Sequence, residues 1–116
     1  MGDLSYNDIV EVNKRLGEKG TVINAGNLHF VIDKEKMAKT VVSKAAILLH
    51  GIITSHSFLE GNKRTGFNSM VLLLEINGKT VKKTVVDEDI VRFLYEIAQN
   101  RVSERETEKW ISELIE

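Results

Sequence analysis

The sequence contains no cysteine, so disulfide bonds, cysteine nucleophiles and thiolate metal sites are excluded. It also has no long hydrophobic run: the longest, "AAILLHGII" and "MVLLLEI", are too short to cross a bilayer. The N-terminus, "MGDLSYNDIV", lacks the basic start and apolar stretch of a secretory signal. Together these absences predict a cytoplasmic protein with no membrane attachment.

The chain has little net charge as well. Its 16 lysines and arginines nearly balance 17 aspartates and glutamates, which leaves a formal net charge of -1. Such a chain has no global attraction to nucleic acid or anionic lipid, so any polyanion must be held by a local site. With 42% hydrophobic and 28% charged residues, the composition is that of a globular protein. The length fits one domain, residues 1–116.

Apolar periodicity predicts a mainly α-helical domain. Ser5 followed by Asp8 resembles a capping box and predicts a first helix from about 6 to 17. Asp33 is expected to cap a second helix that runs to about Thr54. The inward face of this second helix is predicted to carry Met37, Val41, Ala45, Leu48 and Ile52.

Three more helices are predicted in the second half of the chain. One begins near Asn62 and ends at Asn77-Gly78, the next begins at Asp87, and the last opens with Ser103. Residues predicted to face the core are Val91, Leu94, Tyr95 and Ala98 in the penultimate helix, and Trp110, Ile111 and Leu114 in the last.

The stretch "TVINAGNLHFVID", residues 21–33, has a different pattern. Two β-rich runs flank a plausible turn at Ala25-Gly26-Asn27, and Leu28, Phe30 and Ile32 alternate with their neighbours. We therefore predict a small β-hairpin over residues 21–32 that protrudes from the helical domain. The alternative is a loop that covers the core.

The segment "HSFLEGNKRTGF", residues 56–67, concentrates polar residues at the predicted start of a helix. A helix N-terminus presents free backbone N–H groups and a partial positive charge. Gly61 permits close approach to the backbone, and Asn62 could cap the helix or donate its amide to a phosphate oxygen. Lys63 and Arg64 add cations at the end where the helix dipole disfavours them. The pattern predicts an anion site.

Two further residues extend this site toward catalysis. Glu60 would repel a bound phosphate unless a divalent cation lay between them, and Mg²⁺ commonly takes one carboxylate together with substrate phosphate oxygens. His56 is the obvious general base, because imidazole changes its protonation near neutral pH. Phe58 is interpreted as a core anchor that fixes the loop, and His50 as a packing or surface residue. The whole set predicts transfer of a phosphate-containing group to a hydroxyl.

These residues match a known pattern: "HSFLEGNKRTGFNS" resembles the Fic/Doc motif, whose general form is H-x-F-x-[D/E]-G-N-[G/K]-R. The resemblance implies a Fic/Doc-type helical domain that uses ATP and Mg²⁺. It implies that His56 takes a proton from the target hydroxyl and that Glu60 ligates the metal. Gly61–Lys63 would cradle the phosphates, and Arg64 would steady them.

The resemblance also implies a target-docking flap at the predicted hairpin. The flap would pair with an extended segment of the target protein by β-augmentation. The residues assigned to it are Asn24, Gly26, Asn27, Leu28 and Phe30.

Two departures look like the Doc branch of the family. Lys63 replaces a second glycine, and Phe67 stands where AMP-transferring members carry a second arginine. Doc-like proteins transfer the γ-phosphate of ATP to a Ser or Thr hydroxyl of a target such as a translation factor. They are usually toxins paired with an antitoxin protein. The alternatives are a Fic-type adenylyltransferase and a catalytically idle module that binds a nucleotide or partner. Direct nucleic-acid binding is not expected, because no basic face accompanies these two cations.

Some Fic proteins carry an inhibitory helix marked [S/T]-x-x-x-E-[G/N]. Ser112 and Glu116 fit its first part only, so self-inhibition is not expected. A Glu116→Gly variant should then keep the parent activity.

Overall fold

A computed structural model describes residues 1–116 as six α-helices joined by short loops. The mainly α Fic/Doc-type fold class predicted from the sequence is confirmed. Extended pairing is limited to two isolated bridges, Val22 with Phe58 and Val81 with Ile115. None of the helices has the length and apolar character needed to span a membrane. The helices are α1 Tyr6–Arg15, α2 Ala25–Met37, α3 Val41–Ser55, α4 Asn62–Ile76, α5 Asp87–Ala98 and α6 Glu104–Leu114.

Helix α3 is the central element, because its sequence is apolar around almost its whole circumference. Its buried residues Ala45–Leu49, Ile52 and Ile53 contact α2, α4 and α6. At Gly51 an added Cβ would lie 2.7 Å from a methyl carbon of Val31, so only glycine permits the close approach of α2. The centre of the core therefore lies directly beneath the loop that follows α3.

The predicted helix starts at both ends of the chain are confirmed. The hydroxyl of Ser5 accepts from the Asp8 N–H at 3.1 Å, and the Asp8 carboxylate accepts from the Ser5 N–H at 2.8 Å. Ser103 and Glu106 form the same reciprocal pair at the start of α6. Such capping boxes depend only on residues three apart, which explains why local sequence predicts them.

The predicted hairpin over residues 21–32 is wrong. Only Val22 takes part in an extended pairing, with Phe58, and the chain is helical from Ala25 onward. Leu28, Val31 and Ile32 are buried, whereas Phe30 is exposed. That spacing is helical, and the alternation of apolar residues held for too few positions to distinguish the two patterns. Burial against α3 decided in favour of the helix.

The predicted start of the second helix at Asp33 is also wrong, since Asp33 lies inside α2. The chain breaks between the two helices, and Thr40 caps α3 by accepting from the Ser43 N–H at 3.1 Å. Met37, predicted to face the core, is 82% exposed at the end of α2. The Thr40 hydroxyl caps the start of α3, and this local hydrogen bond competes with continuation of α2 through the same residues.

The predicted inward face of α5 is only partly confirmed. Leu94 is buried as predicted and Ala98 is half-buried against the core, whereas Val91 is 66% and Tyr95 47% exposed. Ile97, which lies outside the predicted face, is fully buried. In the last helix, Ile111 and Leu114 are buried as predicted, and Trp110 is half-buried. The Trp110 ring stacks on Phe93 of α5, with ring centroids 4.1 Å apart.

A charge cluster ties the N-terminal segment to α2 and α3. It consists of Glu35 and Lys44, which are buried, and of Asp3, which is exposed at its edge, and is here called the buried charge cluster. The Lys44 ammonium donates to Asp3 Oδ1 at 2.8 Å and to the Glu35 backbone carbonyl at 3.0 Å. Neither carboxylate oxygen of Glu35 has a hydrogen-bond partner. Burial, reinforced by Asp3, raises the pKa of Glu35 to about 7. The hydrogen bond from Lys44 lowers the pKa of Asp3.

Candidate active site

His56 ends α3 in a left-handed conformation, with φ of 47° and ψ of 52°. A residue other than glycine adopts this conformation at a cost of about 1–2 kcal/mol, so neighbouring contacts must maintain it. Asn24 supplies them: its amide donates to the carbonyls of Ser55, at 3.2 Å, and His56, at 2.9 Å. The imidazole itself is exposed and makes no hydrogen bond within the protein. It is therefore positioned through its backbone and free to act on a ligand.

The loop after His56 is closed by Asn62. The Asn62 side chain accepts from the Phe58 N–H at 2.9 Å and donates to the Phe58 carbonyl at 2.8 Å. Phe58 is buried in the core, as the sequence predicted. These two bonds fix the orientation of the Asn62 amide, while the backbone N–H of Asn62 has no acceptor in the protein. Gly61, rather than Asn62, is the N-cap of α4.

The N-terminus of α4 presents unpaired hydrogen-bond donors. The first backbone bond of this helix runs from the Thr65 N–H to the Gly61 carbonyl at 2.8 Å. The N–H groups of Asn62, Lys63 and Arg64 have no acceptor in the protein, and the first turn holds no acidic residue. Free N–H groups at a positive dipole end form a site for an anion. Both cationic side chains there are exposed.

Glu18 reaches this cradle from the loop after α1. Its carboxylate lies 3.1 Å from the Arg64 guanidinium and holds that side chain beside the helix start. Glu18 also crowds Gly61, since an added Cβ on Gly61 would come within 2.8 Å of the Glu18 side chain. Gly61 has a φ of 78°, which favours glycine for a second reason. Nothing in the local sequence pointed to Glu18.

Asn13 fixes the same loop from below. Its amide donates to the Glu60 carbonyl at 3.1 Å and to the Thr65 hydroxyl at 2.9 Å, and its oxygen accepts from the Gly20 N–H at 2.8 Å. Sequence reasoning missed Asn13 and also the clamp by Asn24. Asn13 did carry a signal: it lies one turn after Ile9, next to the apolar face of α1, where a buried polar residue needs a partner.

Two clefts border the ends of α3 and α4. The first, here called the anion cleft, has a volume of about 410 Å³ and contains His56, Glu60 and the start of α4 through Arg64. The second, here called the α2 cleft, has a volume of about 350 Å³ and contains Asn27, Phe30 and Ser55. Ser55 lines the α2 cleft and the next residue, His56, lines the anion cleft, so the end of α3 contributes to both clefts.

Glu60 is the one acidic residue that lines the anion cleft. Its side chain is exposed and makes no hydrogen bond or ion pair, and no group of three or more potential metal ligands exists in the protein. A single free carboxylate beside an anion site fits Mg²⁺, which keeps water and takes phosphate oxygens from its substrate. Glu60 would be the protein ligand of such an ion, which would neutralise phosphate charge.

Of the residues assigned to a docking flap, some are exposed and others are buried or needed to hold the loop. Leu28 is fully buried and Asn24 holds the His56 backbone, so neither is available to a partner in the predicted way. Gly26 is exposed in the first turn of α2, while Asn27 and Phe30 line the α2 cleft. The prediction that a target segment pairs with a hairpin is therefore wrong, because the protein has no hairpin to which a strand could be added.

The chain thus combines a helical domain with a histidine and an anion cradle in one loop, the arrangement of a group-transfer site. The sequence profile described as the Fic/DOC family matches residues 3–74, more than half of the chain. The protein belongs to the Fic/DOC family, whose members are typically nucleotidyl- or phosphotransferases. No curated protein sequence matches it.

Proposed function

We propose that this protein transfers the γ-phosphate of ATP to a Ser or Thr hydroxyl of a target protein, in the manner of the Doc branch. The observation that carries the proposal is the unpaired His56 imidazole in the same cleft as the free N–H groups of α4. The imidazole can accept a proton while the N–H groups hold the phosphates. Neither the imidazole nor these N–H groups make a hydrogen bond within the protein.

The reaction follows from this arrangement. His56 accepts the proton of the target hydroxyl as its oxygen attacks the γ-phosphorus. The bond from the γ-phosphorus to the bridging oxygen breaks, ADP leaves, and His56 later releases its proton to water. The N–H groups at the start of α4, with Lys63 and Arg64, stabilise the charge on the phosphoryl oxygens.

The choice of the γ-phosphate is supported by Phe67. The family resemblance implies that AMP transfer uses a second arginine at this position to present the α-phosphate. Phe67 packs against the hydrophobic core instead, and it does not line the anion cleft. The cleft therefore has the cations Lys63 and Arg64, with no third one deeper along α4.

The α2 cleft is the proposed entrance for the target segment. Ser55 lines this cleft and the next residue, His56, lines the anion cleft, so a target segment bound there would bring its hydroxyl near the end of α3 that carries the imidazole. Phe30, which is exposed, and Asn27 would provide apolar and polar contacts to that segment. We further propose that the protein is a toxin, with a translation factor as target and an antitoxin protein as its inhibitor.

The test uses ATP labelled at either the γ- or the α-phosphate, with Mg²⁺ and a cell lysate. A protein band labelled from the γ position only, and absent with His56→Ala, is the expected result. A band labelled from the α position would mean AMP transfer and would overturn the role given to Phe67. No band with either label would favour an idle binding module.

A second experiment addresses the toxin proposal. Induced expression of the wild-type chain should arrest growth, whereas His56→Ala should not. Equal growth of both strains, at equal protein levels, would contradict a toxin role.

A further inference from the structure

Asn24 stands at the start of α2 but does not cap it. Asparagine is among the most favoured N-cap residues, because its side-chain oxygen can accept from an N–H of the first turn. At the corresponding positions Ser5, Thr40 and Ser103 make such bonds for α1, α3 and α6. The Asn24 side chain makes none with α2, so its amide is used elsewhere.

The amide of Asn24 belongs to a clamp around His56. It donates to the carbonyls of Ser55 and His56, and the backbone N–H of Asn24 donates to the carbonyl of Ser57 at 3.3 Å. One residue from another segment thus contacts three consecutive carbonyls, those of His56 and of both its neighbours. Carbonyls at the end of a helix lack partners within it, so this clamp also completes the end of α3.

The backbone conformation of His56 decides where its side chain points. With φ of 47° and ψ of 52°, His56 lies in the left-handed region, which residues other than glycine rarely adopt. Rotation into the right-handed or extended region would redirect the bond from Cα to Cβ, and the imidazole with it. Because the ring makes no hydrogen bond within the protein, its place in the anion cleft depends on the backbone.

We propose that Asn24 is a positioning residue for the transfer reaction, because it keeps His56 left-handed and thereby keeps the imidazole beside the start of α4. This inference rests on the function proposed above and makes the rate of that reaction depend on a residue outside the contiguous site segment. A general base must lie within hydrogen-bonding distance of the proton that it accepts. A small misplacement therefore lowers the rate although every reacting group is present.

The anion cradle is held by other residues. Asn13 donates to the Glu60 carbonyl, and Asn62 bonds the backbone of Phe58. Neither contact involves Asn24. Loss of the Asn24 amide should therefore misplace the base and leave the phosphate site intact, whereas a general loosening of the loop would weaken both.

The test compares Asn24→Ala with the matched control Asn77→Ala. The Asn77 amide also donates to two backbone carbonyls, those of Gly2 and Leu73, but Asn77 does not line the anion cleft. At saturating γ-labelled ATP with Mg²⁺, Asn24→Ala should label lysate protein roughly tenfold more slowly than the wild type, the scale set by the cost of a left-handed residue. Its affinity for ATP, titrated directly, should be unchanged. Asn77→Ala should change neither quantity.

Two further measurements keep the test independent of activity and of folding. Backbone ¹³C chemical shifts should show that His56 leaves the left-handed region in Asn24→Ala and stays there in Asn77→Ala. Asn24→Ser keeps a favoured N-cap residue for α2, but its hydroxyl has one donor where the amide has two. This variant should also transfer phosphate more slowly than the wild type, with unchanged affinity for ATP.

The outcomes separate the inference from the proposed function. Transfer by Asn24→Ala at the wild-type rate, or a His56 that stays left-handed without the amide, would overturn the inference while the proposed function stands. An equal loss of rate and of ATP affinity, or the same loss of rate in Asn77→Ala, would reduce Asn24 to a structural role. If the wild type transfers no phosphate, the proposed function fails and the inference fails with it.

Discussion

The protein has two clusters of charged side chains, and they are built in opposite ways. In the buried charge cluster, Lys44 is almost inaccessible and its ammonium is surrounded by oxygen acceptors of the protein. In the anion cleft, Lys63 and Glu60 form no ion pair, and the His56 ring has no partner. Charges that are satisfied internally hold elements together, whereas charges left open are available to a ligand.

The two clusters also differ in what maintains them. The buried cluster depends on side-chain contacts between distant segments of the chain. The anion cleft depends on hydrogen bonds from the side-chain amides of Asn13, Asn24 and Asn62 to the backbone. These bonds fix the loop, and of its charged side chains only Arg64 has a partner. Loss of a charged side chain from the buried charge cluster should alter stability, whereas loss of an unpaired side chain from the anion cleft should alter activity.

The largest expected effect is on catalysis. His56→Ala should reduce the rate of γ-phosphate transfer by about 10²–10⁴-fold, the usual contribution of a general base. The free energy of unfolding should barely change, because the imidazole makes no contact that the fold uses. His29→Ala, a change to another exposed histidine whose ring stacks on Tyr6 outside the anion cleft, is the control for activity. Transfer by His56→Ala at the parent rate would show that another group is the base.

Substitution of two glycines, Gly61 in the anion cleft and Gly17 after α1, compares the cost in free energy of unfolding at a proposed ligand-binding turn and at an ordinary turn. Gly61→Ala should lower the free energy of unfolding by about 2 kcal/mol, because φ is positive and the new methyl group meets Glu18. Gly17→Ala has a φ of 92° but no atom within 4 Å, so it should lose only about 1 kcal/mol. Urea unfolding measures both. Equal losses would mean that Glu18 moves away freely.

The buried cluster should make stability depend on pH. Because the pKa of Glu35 is raised from 4.5 to about 7, the native carboxyl keeps its proton in this range while the unfolded one ionises. The unfolded state then binds fewer protons, so the free energy of unfolding falls as pH rises from about 4.5 to 7. The expected decrease is about 2–3 kcal/mol.

Two variants, each of which replaces one glutamate by glutamine, show which cluster causes the pH dependence of stability. Glu35→Gln should remove most of the decrease in urea-unfolding stability between pH 5 and pH 8. Glu60→Gln, which neutralises an exposed carboxylate of the open site, should leave that decrease intact. A decrease of the same size in all three proteins would assign it to another group.

The smallest effect, a change in the KM for ATP, is expected for the ion pair between Glu18 and Arg64 beside the start of α4. Glu18→Gln removes a negative charge near the phosphates while keeping an oxygen that Arg64 can bond. The KM for ATP should fall about threefold, the scale of one unit charge several ångströms away in water. The difference should shrink as salt is added. A higher KM would indicate that the charge of Glu18 is needed to position Arg64.

Local sequence was sufficient wherever an element depends on its own neighbours. The capping boxes at Ser5 and Ser103 and the start of α4 near Asn62 follow from residues a few positions apart. It failed for α2, where a few alternating residues fit both a strand and a helix. It failed in part for the face of α5, since Val91 and Tyr95 satisfy the helical period with Leu94 as well as Ile97 does.

The sequence alone determined the composition of the candidate site, because His56, Glu60 and the residues through Arg64 are contiguous and a helix start brings them together. Only the tertiary structure decided how that loop is held and what surrounds it. Asn13 and Asn24 reach it from other segments, Glu18 pairs with Arg64, and Ala98 of α5 lines the anion cleft. These contacts join residues tens of positions apart, and packing around α3, not any local pattern, selects them.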